Sequence, residues 1–276
     1  MTYIKSTIIF LSLCFLLYGC KENNTTTNED NKEIKEEEED QQEDNTSETP
    51  EKEITDPKET EVWDPEPEAI SFNENGVPSD AIILFDGTDL NQWISTKDST
   101  SAGWLINPDK TFTVVPKSGD IQTKKEFGSV QLHLEWSAPD VIEGEGQGRG
   151  NSGVFFQNKY EVQILDSYQN RTYANGQATA IYKQHIPLVN ATKAPDQWQT
   201  YDIIFHAPEF DAEGNKTKSG SFTVLHNGVL VQDHVEILGS TEYIGKPKNI
   251  PHGKGPIKLQ DHSNPVQYRN IWVREL

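Results

Sequence analysis

Glu161, Gln163 and Asp166 lie in the stretch Gly150–Asp166, which reads G-N-S-G-V-F-F-Q-N-K-Y-E-V-Q-I-L-D. Side chains on a β-strand alternate between faces. In Tyr160–Leu165, Glu161 and Gln163 therefore share one face while Val162 and Ile164 share the other. A strand that buries its apolar face and carries a carboxylate beside an amide on the other suits sugar binding or acid/base chemistry. A second run, Gly153–Gln157, precedes it through a two-residue Asn158-Lys159 link. Glu161 and Asp166 are five positions apart and fall on opposite faces unless a β-bulge separates them. The alternative for this pair is a surface strand residue and a turn cap.

Two other stretches offer chemistry. Glu143–Gly150 is dense in glycine but is not a phosphate loop, because no Lys-Ser/Thr and no helix follow it. It reads as a hairpin loop, or as a rim carrying Arg149 to an anionic or enolate oxygen, with Asn151 immediately behind. Gly255–Asn264 alternates so that Lys258, Gln260 and His262 share a face opposite Ile257, Leu259 and Asp261. A Gln/His pair there suits a site, since histidine exchanges protons near neutral pH. A solvated histidine at a strand end is the other reading. Tyr182, Gln184 and His185 fall in a segment rich enough in polar and aromatic groups to line a sugar cleft. Asp211–Asn215 lacks the spaced oxygen ligands of a calcium loop and reads as a polar hairpin.

Strands must position these residues. Ala81–Phe85, Thr111–Val115, Ser129–Trp136, Gln199–His206, Phe222–Leu225, Val229–Gln232, Ile257–Gln260 and Tyr268–Arg274 all read as short β-runs, with Asn227-Gly228 as a strong hairpin signal. No amphipathic helix of convincing length and no fixed repeat interrupts them. This predicts an all-β sandwich or jelly roll in one domain, residues 69–276.

The first 68 residues differ in kind. Residues 1–20 start with Lys5 and continue through an apolar run, as a secretory signal does. The run ends Leu17-Tyr18-Gly19-Cys20, which resembles the lipobox of bacterial lipoproteins and implies cleavage before Cys20 and acylation of that residue. Residues 21–68 hold 20 acidic residues against 5 lysines and almost nothing apolar, so they are expected to form a disordered acidic linker. They carry most of the net charge of −20 of the 276-residue chain. An acidic stretch after the lipidated cysteine is similar to the surface-export signals of Bacteroidota lipoproteins. The expected location is the cell envelope at the outer membrane, with the membrane reached through the lipid on Cys20. No basic patch points to nucleic acid. Cys14 and Cys20 are the only cysteines, which leaves the folded part without disulfide or thiolate chemistry.

The runs Ser79–Trp93, Gly150–Phe155, Tyr160–Asp166, Ala180–Tyr182, Trp198–Asp202, Gly255–His262 and Tyr268–Trp272 resemble, in order, the 3-keto-disaccharide hydrolase family. Ser263 departs from the glycine common there. The resemblance implies a concanavalin-like jelly roll acting on an oligosaccharide or glycoside already oxidised at C3. A 3-keto group acidifies the C2 proton, so a base can form an enolate that expels the C1 aglycone, and water can then add back. Glu161 and His262 are the expected base and acid, in either order. Arg149, Asn151 and Gln163 are candidates for enolate and hydroxyl contacts, Tyr182 and Gln260 for substrate binding, and Asp166 for orientation. No cofactor is evident; a substrate-bridging divalent cation is compatible with the chemistry, but no residue set defines a metal site. Two alternatives remain. E-x-Q-x-x-D also resembles the E-x-D-x-x-E strand of laminarinase-like retaining glucanases, with two departures. A jelly roll can equally serve as a non-catalytic glycan-binding surface lipoprotein.

Overall fold

The computed structural model describes residues 52–276. The signal segment 1–20, the lipidation position Cys20 and most of the acidic linker lie outside the described residues. Among the described residues, those up to Asp64 and Pro65–Leu276 fall into separate units. In the first, Pro57–Thr60 forms one 3-10 turn, capped by Asp56 accepting from the Lys58 N–H at 3.0 Å.

The second unit is nearly all strand. In chain order, β1 is Ile82–Phe85, β2 Trp93–Ser95, β3 Leu105–Ile106, β4 Phe112–Thr113, β5 Ile121–Thr123 and β6 Val130–Ser137. Then come β7, Ser152–Phe156, and β8, Tyr160–Ile164, the pair that carries the opening stretch. β9 is Gln199–His206, β10 Glu209–Phe210, β11 Lys216–Lys218, β12 Ser221–His226, β13 Val229–Glu236, β14 Ile257–Leu259 and β15 Gln267–Glu275. One sheet runs β13-β12-β9-β6-β15-β4-β3, with β1 also paired to β15. The other runs β2-β5-β14-β7-β8, and β10 with β11 is a separate hairpin around the Asp211–Asn215 turn. The result is the expected jelly-roll sandwich.

Alternation builds the core. Val130, Leu132, Leu134 and Trp136 on β6 and Tyr201, Ile203 and Phe205 on β9 turn inward, with half-buried residues between them. Val154, Phe156, Val162, Ile164, Ile257 and Leu259 meet them from the second sheet. Phe156 ties the layers together, its ring 4.8 Å from Phe205 and 5.2 Å from Phe222 between centroids. Each large apolar side chain closed off here contributes roughly 1.5–3 kcal/mol. The link between β7 and β8 is one residue longer than expected. Phe156 pairs with Tyr160, and Gln157 and Asn158 turn the chain at φ of 55° and 57°.

Candidate active site

The apolar side of β8 enters the core, so its other side must carry Glu161 and Gln163 outward, into a cleft of 590 Å³. That volume lies within the usual range for small-molecule sites. Asn151, just before β7, lines the same cleft, as do Tyr182, Gln260 and His262. Six residues named from the sequence thus converge. Gln147, Phe155, Tyr173, Thr241 and Tyr243 complete most of the wall.

Glu161 is 4% exposed. Burial pushes its carboxyl up to about 8 against the nearby Lys258 ammonium, which lowers it, and the Asp120 carboxylate adds to the rise. It needs close backbone to fit. A Cβ at Gly153, on the neighbouring strand, would lie 2.5 Å from the Glu161 carboxyl oxygen Oε1. Gly153 pairs with Gln163, and the Glu161 carboxyl leans across to fill the space that a side chain there would take.

Lys258 projects from β14 onto the same side. Its ammonium lies 3.9 Å from the centre of the Phe155 ring and 2.9 Å from Asp120 Oδ2. The other Asp120 oxygen accepts from the Asp261 N–H at 2.9 Å. Asp261 in turn accepts from the Gly119 and Ser263 N–H groups, both at 2.8 Å. These bonds fix the turn that carries His262, and Asp261 is committed to backbone rather than to the neighbouring imidazole. The His262 side chain is exposed at the cleft.

A cluster of amides orients the far wall. Gln147 donates through Nε2 to Gly176 O at 2.6 Å and Thr172 Oγ1 at 3.1 Å. Its Oε1 accepts from Gln163 Nε2 at 3.0 Å, and its backbone carbonyl accepts from Asn151 Nδ2 at 2.7 Å. Gln163 Nε2 donates as well to Gly176 O at 3.2 Å, so both of its N–H groups have protein acceptors, while Asn151 gives one of its two. The carbonyl oxygens Asn151 Oδ1 and Gln163 Oε1 are buried with no partner. A buried unpartnered acceptor is costly, so these two oxygens suit a ligand that donates, such as a sugar hydroxyl.

Arg149 and Asp166 do not join this site. The register between β7 and β8 is regular, with Ser152 opposite Ile164, so no bulge swings Asp166 onto the Glu161 face. The chain turns instead, and Asp166 Oδ2 accepts from Arg149 Nε at 2.6 Å. Arg149 also donates to Tyr168 O at 2.9 Å, and Asp166 Oδ1 accepts from the Tyr168 N–H at 3.1 Å. The pair borders a different cavity, beside Pro139–Gly144. The expectation that Arg149 reaches an enolate oxygen and Asp166 orients the reacting groups is corrected: the two pair with each other and with Tyr168 at a turn outside the Glu161 cleft. Gln184 and His185 are also structural. Gln184 binds Gly239 O and the Leu238 N–H, and the His185 ring binds Glu236 O at 2.7 Å. Among the described residues no group of three or more His, Cys, Asp or Glu could hold a metal ion.

Residues 80–274 match a family described as the 3-keto-alpha-glucoside-1,2-lyase-like domain. A crystal structure from Parabacteroides distasonis, provisionally described as a glycosyl hydrolase, is 49% identical, with a TM-score of 0.77 over 80% of this chain and 97% of that one. Two further structures from the same organism, given the same provisional description, share 18% and 22% identity. Their TM-scores are 0.52 and 0.50, each over 71% of this chain and 94% and 99% of theirs, and they show the fold alone. A search of curated proteins finds no match.

Proposed function

The chain belongs to the 3-keto-alpha-glucoside-1,2-lyase-like domain family, and on that premise we propose that its cleft cleaves glycosides already oxidised at C3. The coarser reading, a carbohydrate-active enzyme of the glycoside-hydrolase type, rests on that membership and on the relative at 49% identity. The finer one rests on a single observation. Glu161 is the only carboxyl among the lining residues of the cleft, while Asp166 is paired elsewhere. Retaining glycosidases need two carboxyls about 5–5.5 Å apart. One buried carboxyl facing an imidazole suits elimination instead.

In this scheme Glu161 removes the C2 proton, and the C2–H electron pair forms the C2=C3 enolate. The enolate then collapses to restore the ketone, and the C1–O bond breaks as C1=C2 forms. The departing oxygen takes a proton from His262. Water adding back, with OH to C1 and H to C2, gives net hydrolysis. A carboxyl raised to about 8 is a strong base that is still partly ionised near neutrality, as proton abstraction from carbon requires. Asn151 Oδ1 and Gln163 Oε1 accept from sugar hydroxyls, and Gln260 borders the bound ring.

The test compares 3-keto-glucosides with their parent glycosides in D₂O, using wild type and Glu161→Gln. Aglycone release from the keto substrates only, with deuterium appearing at C2, is expected; Glu161→Gln should lose at least about 10²-fold in rate. Equal cleavage of the parent glycosides would refute the 3-keto reading, and binding of both without turnover would leave a glycan-binding protein. The sequence Leu17-Tyr18-Gly19-Cys20 supports a lipid-anchored form in the outer membrane. Cys20→Ala should abolish labelling by a fatty acid, and protease on intact cells should remove an outward-facing domain.

A further inference from the structure

With Arg149 engaged elsewhere, the enolate oxygen needs another donor. Gln147 and Gln163 give both side-chain N–H groups to protein acceptors and Asn151 gives one of its two, so that wall is poor in free donors. Beside Glu161 stand two phenols. Tyr173 Oη and Tyr182 Oη lie 2.5 Å apart, with the rings at 67°. In such a pair one hydroxyl donates to the other, leaving one O–H proton to point outward. The chain of two also polarises that proton, making it a better donor than a lone phenol.

The pair is built, not incidental. Tyr173 packs so tightly on Gly176 that a Cβ there would fall 1.9 Å from its ring. Lys183 adopts φ of 63°, uncommon for a residue with a side chain, and sets its ammonium 3.6 Å from the centre of the Tyr173 ring. A cation over the face draws electron density from the phenol and favours donation from its hydroxyl. Tyr182 is delivered by pairing with β8 itself, its N–H donating to Glu161 O at 3.1 Å. Both hydroxyls stay protonated at any working pH, since burial raises each above the ordinary phenol value.

We propose that the Tyr173–Tyr182 pair donates the hydrogen bond that stabilises the C3 oxygen as the enolate forms. This rests on the 3-keto reading above. The electron pair left at C2 when Glu161 takes the proton forms C2=C3, the C3=O π pair moves onto the C3 oxygen, and the outward phenol proton meets the growing charge without leaving its own oxygen. His262, on the opposite wall, stays free for the leaving group. Thr241 Oγ1 accepts from the Glu161 N–H at 3.0 Å, which ties that hydroxyl to the β8 backbone.

The experiment uses Tyr173→Phe and Tyr182→Phe in the full chain, with a 3-keto-glucoside and its parent glycoside. Removing a donor to a developing oxyanion lowers kcat by about 10²–10³-fold. The variant lacking the phenol that touches the oxygen should show that loss, and the other a smaller one of about tenfold. Affinity for the parent glycoside, which forms no enolate, should change less than about threefold in both. C2 deuterium exchange in D₂O should slow in step with kcat. Thermal melts establish that each variant folds; should one not fold, its partner removes the same hydroxyl pair from the other side. If both variants keep kcat within about threefold, the pair is not the donor. If kcat and parent affinity fall together, the tyrosines bind sugar generally and the proposal is equally lost. A wild type that neither cleaves the keto substrate nor exchanges C2 would sink the underlying reading instead, so the two failures are separable.

Discussion

Replacing Glu161 by glutamine keeps the shape of the side chain and removes its ionisation, so it isolates what charge costs in this cleft. Below pH 4.5 the carboxyl is neutral in both folded and unfolded chains and costs nothing. Between 4.5 and 8 the unfolded chain gives up its proton while the folded chain keeps it, so stability falls as pH rises. Above pH 8 the loss is complete. At about 1.4 kcal/mol per pH unit across that interval, the ceiling is about 5 kcal/mol. Water entering the open side of the cleft lowers it, and we expect about 2 kcal/mol, which is ~4–8 °C in Tm for a domain of this size. The assay is a set of thermal melts of wild type and Glu161→Gln from pH 4 to pH 9.5. The two should melt together at pH 4, and the variant should be more stable by that amount at pH 9 while being inactive. A difference that does not change between pH 4 and pH 9 would mean the carboxyl titrates like an exposed one, and the case for it as an elevated base would fall.

Other outcomes follow from neighbouring contacts. Lys258→Met removes the ammonium that holds Glu161 down, so the rising limb of kcat/KM, expected near pH 8, should move to higher pH; an unmoved limb would show that another group controls it. Gly153→Ala puts a methyl 2.5 Å from the Glu161 oxygen. The carboxyl must swing aside, and misplacement on the order of 1 Å costs up to about 10²-fold in rate, read by steady-state kinetics against a melt that shifts little. Asp166→Ala leaves the Arg149 guanidinium unpaired at a turn where Asp166 is 2% exposed. Denaturant unfolding should show a loss of about 3 kcal/mol, with kcat within a few-fold of wild type; a large kcat loss would return Asp166 to the chemistry.

Much of this was legible in the sequence because strand alternation is local. Tyr160, Val162 and Ile164 inward and Glu161 and Gln163 outward follow from a period of two. The same logic correctly aims Lys258 and Gln260. What alternation cannot see is where a strand stops. β8 ends at Ile164, and the turn beyond it closes Asp166 onto Arg149 rather than extending the Glu161 face. Strands of two or three residues, such as β2 at Trp93–Ser95 and β5 at Ile121–Thr123, carry too little pattern to recognise. The Lys258–Asp120 pair joins residues 138 positions apart, so no spacing reveals it. Tyr173 gave no signal either, since it caps a 3-10 turn outside any periodic run. Gln147 lay in plain view among the glycines, but its role as an amide hub depends on Gly176, which only folding brings near.

The closing of β8 has a consequence beyond catalysis. β8 is the last strand of its sheet, and its outer side would present a row of free N–H and C=O groups to any passing chain. Instead Gln163 N–H donates to Ala180 O at 3.0 Å, Thr179 N–H to Gln163 O at 2.9 Å, and Ile181 bridges to Val162. The segment that delivers Tyr182 is therefore also the cover on an aggregation-prone edge. On the proposed function, Thr179–Tyr182 therefore serves both solubility and the reaction, and a lesion there exposes a sticky strand as it takes the Tyr182 phenol out of the cleft.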